Sequence, residues 1–335
     1  MILNLARFVL AVFAVALWTG NASPLQAQPF WYKGQTHLHT NKSDGDELPH
    51  RVVRWYRDHE YHFIVITDHN LLTDPAPLDT DPNDRFILIP GEEVTDRAES
   101  KPVHLNGINI RQVIPPRHGA TIIETLQNNI DAIREAGGIA QINHPAWRRS
   151  FGADEMAAIR GAALMELYNM TTDSNNYSAG GVPGMEEIWD RILSKGTLIY
   201  GVITDDAHNF RGDFMPDDAN PGRGWVMVRA AELTPDAITH ALESGDFYAT
   251  TGLLLEDVQI SDNQYSLKIR AEKDFSYTTT FIGWGGQILK EDHSLTPVYS
   301  FTGTERYVRA RVFCSTGKVA FTQPVLVAAP RKTGY

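Results

Sequence analysis

The chain has 335 residues, 42% of them hydrophobic, and a formal net charge of −11 at pH 7. This length is sufficient for one barrel-sized domain and a small second one. The acidic balance excludes a nucleic-acid partner, because a polyanion would be repelled, and the single cysteine, Cys314, excludes an intrachain disulfide and a thiolate metal site in this sequence.

The first 27 residues have the organisation of a secretory signal peptide. Arg7 precedes an uncharged stretch from Phe8 to Trp18, and Leu25-Gln26-Ala27 forms a small-residue cleavage site. The alternative is an uncleaved membrane anchor, but the apolar core is shorter than the ~20 residues that a spanning helix needs. We therefore expect an exported protein, periplasmic or secreted, with no membrane attachment after cleavage.

Apolar strand-like runs then alternate with helical patterns. The predicted strands are Trp31 to His37, Phe63 to Thr67, Phe86 to Pro90, His104 to Ile110, Ile139 to Asn143, Leu164 to Tyr168 and Leu198 to Thr204. The predicted helices are Pro49 to His59, Thr121 to Ala136, Met185 to Lys195 and Pro235 to Glu243. This alternation predicts an α/β barrel over residues 28–250.

The pattern changes near residue 250. Residues 251–330 show short alternating strands separated by turn residues, the clearest being Leu267 to Arg270, Thr279 to Ile282 and Tyr307 to Phe313. We predict a small C-terminal β domain, similar to a sandwich, without a metal-binding cluster.

Histidines and carboxylates lie one or two at a time near the ends of the predicted barrel strands. They are His37, His39, Asp44, Asp68, His69, Glu93, His104, His144, Asp206 and His208. In a barrel, the carboxyl ends of the strands meet at one mouth, where the working residues lie. Nitrogen and oxygen ligands in this number favour divalent zinc, manganese or iron, and clustered ions of this kind are typical of hydrolases.

Individual motifs differ in how clearly they identify a metal ligand. His37 and His39 are separated by one residue, so on a strand both side chains point to the same face and can bind one ion. Asp68 is either a turn cap or a residue that orients a ligand from behind. Glu92 and Glu93 are adjacent, and either carboxylate alone could bridge two ions.

Five segments together resemble the polymerase and histidinol phosphatase (PHP) superfamily. These segments are HLHTNKSDG, ITDHN, PGEEVT, INHP and TDDAH, in this order between residues 33 and 210. The C-terminal segments GDFYATTG and YVRARVFCSTGKVAFTQPV are similar to the β tail of its carbaryl-hydrolase-like branch. The resemblance implies a distorted (βα)7 barrel that holds two or three divalent ions and hydrolyses phosphoesters.

The resemblance also implies which residues bind metal. The position of Glu93 in Gly91-Glu92-Glu93 identifies it, and not Glu92, as the bridging ligand. Asp68 is then a residue that orients a ligand and does not itself bind metal. The implied ligands are His37, His39, Asp44, His69, Glu93, His104, His144, Asp206 and His208. Our hypothesis places one ion at His37, His39, Glu93 and Asp206, a second at Glu93, His104 and His144, and a third at Asp44, His69 and His208. Glu93, Asp206 and His208 carry the catalytic roles.

The predicted function is therefore metal-dependent hydrolysis of a small phosphoester by a hydroxide that bridges two ions. The alternatives are hydrolysis of a carboxyl or carbamate ester and, in a different class, a metal- or ligand-binding protein without turnover. Several side chains near the motifs are candidates for substrate contact or for orienting the ligands: Lys42, Trp147, Arg148, Arg149, Glu166, Tyr168, Asn169 and Arg211.

Overall fold

A computed structural model gives the structure of residues 30–78 and 85–327. The predicted signal peptide lies outside these residues. Within them, the helices are α1 (Pro49–Asp58), α2 (Ile122–Glu135), α3 (Ala153–Ala158), α4 (Met185–Ser194) and α5 (Pro235–Ser244). None of these helices is long and apolar enough to cross a membrane.

Most of the regular structure is strand. The first ten strands are β1 (Phe30–Gln35), β2 (Phe63–Val65), β3 (Ile87–Ile89), β4 (Gly91–Ala98), β5 (Lys101–Ile108), β6 (Ile139–Ile142), β7 (Ala162–Asn169), β8 (Tyr200–Thr204), β9 (Trp225–Ala230) and β10 (Phe247–Thr250). The remaining strands are β11 (Leu255–Ile260), β12 (Gln264–Ile269), β13 (Tyr277–Gly283), β14 (Gln287–Asp292), β15 (Val298–Ser300), β16 (Tyr307–Cys314), β17 (Val319–Thr322) and β18 (Val325–Leu326).

These strands form three sheets. The largest has the order β14-β13-β16-β17-β10-β9-β1-β2-β3, with β18 paired to β16. A five-stranded sheet has the order β4-β5-β6-β7-β8, and a three-stranded sheet has the order β11-β12-β15. The chain passes from the largest sheet to the five-stranded sheet at Pro90, the single residue between β3 and β4.

The carboxyl ends of parallel strands from two sheets lie next to each other. β1, β2 and β3 are parallel, as are β6, β7 and β8. Beyond their ends, Leu38 forms a parallel bridge with Ala207 and His69 forms one with Glu93. Segments that are distant in sequence are thereby brought to one edge, which explains how the motif residues meet.

The fold is mixed α/β, with many strands and few helices, as the alternating pattern predicted at the level of class. β4 and β5 form an antiparallel hairpin, and β5 pairs antiparallel with β6. Regular alternation of strand and helix is therefore interrupted between residues 91 and 142 of the described chain. A seven-unit barrel stays a prediction.

The C-terminal strands extend the sheet that contains β1. β10 pairs with β17, and β17 pairs with β16, so hydrogen bonding continues across the predicted boundary at residue 250. A separate apolar core does form there around Tyr265, Phe281 and Val312, which are all fully buried. The division into domains at residues 28–250 and 251–330 is left as a prediction.

Candidate metal centre

Two buried histidines follow β1. The side chains of His37 and His39 point to the same side, and their Nε2 atoms lie 3.2 Å apart. Leu38, between them, is fully buried in the apolar core, and its backbone N–H donates to the Thr67 hydroxyl at 3.1 Å. The predicted alternation of ligand and core residue is therefore present just beyond the strand.

Asp68 holds the loop that follows His39. Its carboxylate accepts hydrogen bonds from the backbone N–H and the hydroxyl of Thr40, both at 2.8 Å, from Ser43 at 2.9 Å and from Thr73 at 2.7 Å. These bonds fix the turn that presents Asp44. Gly45 closes that turn, where a Cβ atom would lie only 2.8 Å from the backbone of His39. With both oxygens occupied, Asp68 is suited to supporting this loop.

Glu93 lies at the centre of the cluster, on β4. Its Oε1 is 3.1 Å from His104 Nδ1 and 3.4 Å from His144 Nε2, while its Oε2 is 2.9 Å from His69 Nδ1. The sequence pattern predicts Glu93 and His104 at strand ends, but both lie within strands of the β4–β5 hairpin. In the hairpin, Thr95 pairs with His104 and Glu93 pairs with Asn106, so both predicted ligands face the same side.

Asp206 and His208 come from the segment that follows β8. Asp206 Oδ1 is 3.2 Å from His37 Nε2 and 3.1 Å from His39 Nε2. His208 Nε2 is 3.4 Å from Asp44 Oδ1, and His69 Nε2 is 3.3 Å from Asp44 Oδ2. The structure thus brings all nine predicted ligands into one cluster.

Four overlapping sets have ligand atoms close enough to share an ion. Within each set the atoms lie within 4.8 Å of one another, and the sets are His39–Asp44–His69–His208, His37–His39–Glu93, His37–His144–Asp206 and His69–Glu93–His104. The predicted third ion site recurs in the first set with His39 added. His104 and His144 fall into different sets, although Glu93 Oε1 is 3.1 Å from the first and 3.4 Å from the second, and the predicted second site stays a prediction.

Buried polar residues support the cluster from behind. Glu166 accepts from His37 Nδ1 at 2.6 Å and from the backbone N–H of His144 at 2.6 Å. The Asn169 amide donates to Glu166 at 2.9 Å and to Asp206 at 3.0 Å. Asn143, which our sequence reasoning missed although it precedes His144 in INHP, donates to Glu93 at 2.9 Å. Such contacts fix the orientation of ligands in metal sites.

Two cluster residues have a backbone conformation that side chains rarely adopt. The φ angle is +28° at His144 and +48° at Asp206. A left-handed conformation at a non-glycine residue costs on the order of 1–3 kcal/mol and is concentrated at functional sites. The bond from His144 to Glu166 and the bond from the Asp206 backbone N–H to the His37 carbonyl, at 3.1 Å, hold these residues in place.

The cluster keeps its carboxylates ionised. Burial raises the pKa of Glu93, but His104 and His37 outweigh it and lower this pKa well below its usual value. Burial lowers the pKa of His37, yet Asp206 and Glu166 raise it well above its usual value. Protons on the imidazoles therefore compensate the acids, and an ion that binds here must displace them, so its affinity rises with pH.

The donor set fits divalent ions. Glu93 Oε2 and Asp206 Oδ1 are buried and face imidazole nitrogens, with Oε2 2.9 Å from His69 Nδ1 and Oδ1 3.1 Å from His39 Nε2. A buried carboxylate is costly unless a positive charge meets it, and a divalent ion would supply that charge. Imidazole nitrogens and carboxylate oxygens suit zinc, manganese or iron, and the described residues offer no sulfur ligand to the cluster.

A cavity of about 540 Å³ opens over the cluster. Besides predicted ligands, it is lined by Trp147, Thr171, Thr172, Asp173, Asn209, Asp217, Asp218 and Ala219. Trp147, a candidate for substrate contact, thus lines the cavity. Tyr168, the other aromatic candidate, is buried, and its hydroxyl donates to Glu186 Oε1 at 3.3 Å.

The basic residues that we expected near the substrate lie elsewhere. Lys42, Arg148, Arg149 and Arg211 do not line the cavity. Arg148 and Arg149 are exposed, and Arg148 stacks on Trp147 with its guanidinium carbon 4.4 Å from the ring centroid. Arg211 binds Glu47 through two hydrogen bonds of 3.1 and 3.2 Å. This geometry does not support a direct substrate contact from these four side chains.

No protein-family model matches the chain, and no curated protein matches it. Solved structures do match, three of them as follows. The first is a two-domain protein from Bacteroides vulgatus that contains a predicted PHP-like metal-dependent phosphoesterase, with 17% identity over 90% of this chain and 93% of that one and a TM-score of 0.48.

The other two have lower scores. One is assigned as a metal-dependent phosphoesterase from Bifidobacterium adolescentis, with 16% identity, 54% of this chain and 89% of that one covered, and a TM-score of 0.38. The other is an amidohydrolase from Chromobacterium violaceum with bound sulfate and no metal, with 16% identity, coverages of 56% and 93%, and a TM-score of 0.38. Scores and identities this low do not by themselves assign a family or a function to the chain.

Proposed function

We propose that this protein is a metal-dependent hydrolase that acts as a phosphoesterase on a small phosphorylated molecule. The observation that supports this is the cluster itself, in which the buried carboxylates of Glu93 and Asp206 face histidine nitrogens at the floor of an open cavity. Divalent ions held there would lower the pKa of a bound water to about 7 and stabilise charge on the ester oxygens.

Each protein group has a defined task in this proposal. Glu93 presents one oxygen to His104 and the other to His69, so it is placed to contact two ions. Glu166 occupies Nδ1 of His37 and leaves its Nε2 directed at Asp206. In His208, Nδ1 bonds to the Asp206 carbonyl at 2.7 Å, so its Nε2 faces Asp44.

Membership of the PHP superfamily, and of its carbaryl-hydrolase-like branch, is part of the same proposal. It is supported by the order of the five motifs and by the convergence of their residues on one cavity. Export of the mature chain belongs to it as well, on the evidence of the N-terminal sequence.

Hydrolysis of an uncharged carboxyl or carbamate ester is the second candidate. The observation that favours it is the cavity wall, because none of the described residues that line the cavity is a lysine or arginine. An enzyme for highly charged phosphates commonly adds such side chains to its metals.

The experiment that tests the proposal combines metal analysis with an ester panel. The purified protein should contain two or three equivalents of divalent metal and hydrolyse 4-nitrophenyl phosphate or a phosphodiester faster than a nitrophenyl carboxyl ester. The variants His37→Ala and Glu93→Ala should lose metal and turnover together. His240→Ala removes an exposed histidine of α5 and should change neither.

The outcomes separate the candidate functions. A faster carboxyl or carbamate ester reaction would select the second candidate. Full metal content without hydrolysis of any ester would favour a binding protein, and normal activity in Glu93→Ala with reduced metal would overturn the assignment.

A further inference from the structure

The cavity wall above the metal cluster is acidic. Three carboxylates outside the predicted ligand set line it, those of Asp173, Asp217 and Asp218. No lysine or arginine is among the described residues that line it. Outside the metal cluster, the charged side chains that line the cavity are therefore all acidic.

Three arginines in neighbouring segments contact groups other than the three aspartates. Arg211 is bound to Glu47, and Arg148 lies over the face of Trp147. The Arg223 guanidinium donates to the carbonyl oxygens of Met215 and Pro216 at 3.1 and 3.0 Å. None of these three arginines is among the described residues that line the cavity.

The carboxylates are available to a ligand. Asp217 is exposed and Asp218 half-buried, and neither forms an ion pair with a described residue. Asp173 accepts a hydrogen bond from Trp147 Nε1 at 2.7 Å. This bond fixes the indole against His104 and His144, with ring centroids 5.9 and 5.2 Å away.

The acidic wall and the metal cluster belong to the same cavity. Glu93, which is 1% exposed and lies at the centre of the metal cluster, also lines it. A substrate whose ester reaches this floor must place its organic group beside Trp147 and the three aspartates. Opposite charge there lowers its free energy and like charge raises it.

We propose that the cavity selects substrates whose organic group, beyond the hydrolysed ester, carries a positive charge such as an ammonium, and that it discriminates against a second negative charge. This inference rests on the proposed function only in taking the ester end of the substrate to lie at the metals. It assigns Asp173, Asp217 and Asp218 to substrate specificity.

The test uses three small phosphates of similar size: 2-aminoethyl phosphate, propyl phosphate and carboxymethyl phosphate. Their binding to the metal-loaded protein is measured by calorimetry at low and high salt, and their inhibition of any nitrophenyl ester that the protein hydrolyses is measured in parallel. We expect affinity to fall in the order given, with at least a tenfold difference between the first and the last at low salt and a smaller one at high salt.

Removing the charges of Asp217 and Asp218 should reduce the difference in affinity between 2-aminoethyl phosphate and carboxymethyl phosphate. At a separation of ~6 Å in water, one carboxylate changes the affinity of a singly charged group about threefold. Asp217→Asn with Asp218→Asn should thus weaken binding of the aminoethyl ester and strengthen binding of the carboxymethyl ester. Glu291→Gln, which removes an exposed charge from β14 outside the cavity lining, should leave the order and the ratios unchanged.

Equal affinities, or a preference for the carboxymethyl ester, would overturn the inference. Because calorimetry needs no turnover, the two proposals fail separately. A charge-ordered series without hydrolysis of any ester would contradict the proposed function alone, and hydrolysis without a charge preference would contradict the specificity alone.

Discussion

Replacing each of the adjacent glutamates of β4 separates the chemistry of the site from the stability of the fold. Glu93 faces the cluster, whereas Glu92 points to the opposite face of the hairpin and accepts a hydrogen bond from the Ile114 backbone N–H at 3.0 Å. Both residues are buried, and Glu92 Oε2 has no partner. Glu92→Gln should keep metal and activity, and Glu93→Gln should lose both.

Glu92→Gln should also stabilise the protein at neutral and alkaline pH. Burial raises the pKa of Glu92 to about 7, against the opposing effect of the Ile114 N–H, from a usual value of 4.5. Between these two values the folded state holds a proton that the unfolded state has lost, so stability falls as pH rises through the interval. A shift of this size corresponds to about 3 kcal/mol, and we expect about 2 kcal/mol because relaxation and water penetration reduce the cost of a buried charge.

The assay is urea denaturation of the metal-stripped wild type and Glu92→Gln between pH 4 and 9. The difference in free energy of unfolding should be small at pH 4, grow between pH 4.5 and 7, and stay constant above that. A variant that is less stable than wild type at pH 8, or a difference that does not change with pH, would refute the reasoning. Loss of metal in Glu92→Gln but not in Glu93→Gln would reverse the assignment of the two residues.

Three other perturbations test the support of the site and the C-terminal region. Glu166→Gln should weaken metal affinity about 10- to 100-fold in competition with a chelator, because the neutral amide has only one acceptor oxygen for the bonds from His37 Nδ1 and the His144 N–H, and unchanged affinity would contradict this role. Burial raises the pKa of Glu305, but hydrogen bonds from Thr302 and neighbouring groups lower it to about 2. Glu305→Gln should therefore lower the free energy of unfolding by about 2 kcal/mol at pH 7, and this difference should be constant above pH 4.5 and disappear as pH falls towards 2. Equal free energies of unfolding at pH 7 would exclude this role. Arg309→Met should cost about 3–5 kcal/mol by leaving the buried Asp190 carboxylate without its cation, with only the bond from the Tyr307 hydroxyl at 2.9 Å, while the double variant with Asp190→Leu should recover most of that loss in thermal unfolding.

The ligand positions were predictable where a ligand follows an apolar strand. His37, His39, Asp206 and His208 each come directly after such a run, and the structure places them at adjoining strand ends. Strand β4 was not predictable in this way. Its two glutamates are both buried, so the usual alternation of apolar and polar residues that marks a half-buried strand is missing.

Non-local pairing accounts for the remaining differences. The sheet continues past residue 250 because β10 pairs with β17, which no local pattern reports. Arg211 lies three residues after His208, and its expected substrate contact is replaced by the pair with Glu47, which is 164 residues away in sequence. The resemblance to the PHP superfamily and the metal roles it implies stay predictions, to be tested by the experiments above.

Contacts around the cluster explain why two of its residues can keep an unfavourable backbone conformation. His37 and His39 face the cluster, while Leu38 between them is buried in the apolar core. The core fixes the backbone, and hydrogen bonds to Glu166 and His37 hold the left-handed conformations at His144 and Asp206, which cost of order 1–3 kcal/mol each. Under the proposed function, an ion would replace protons on imidazoles whose positions these contacts already define.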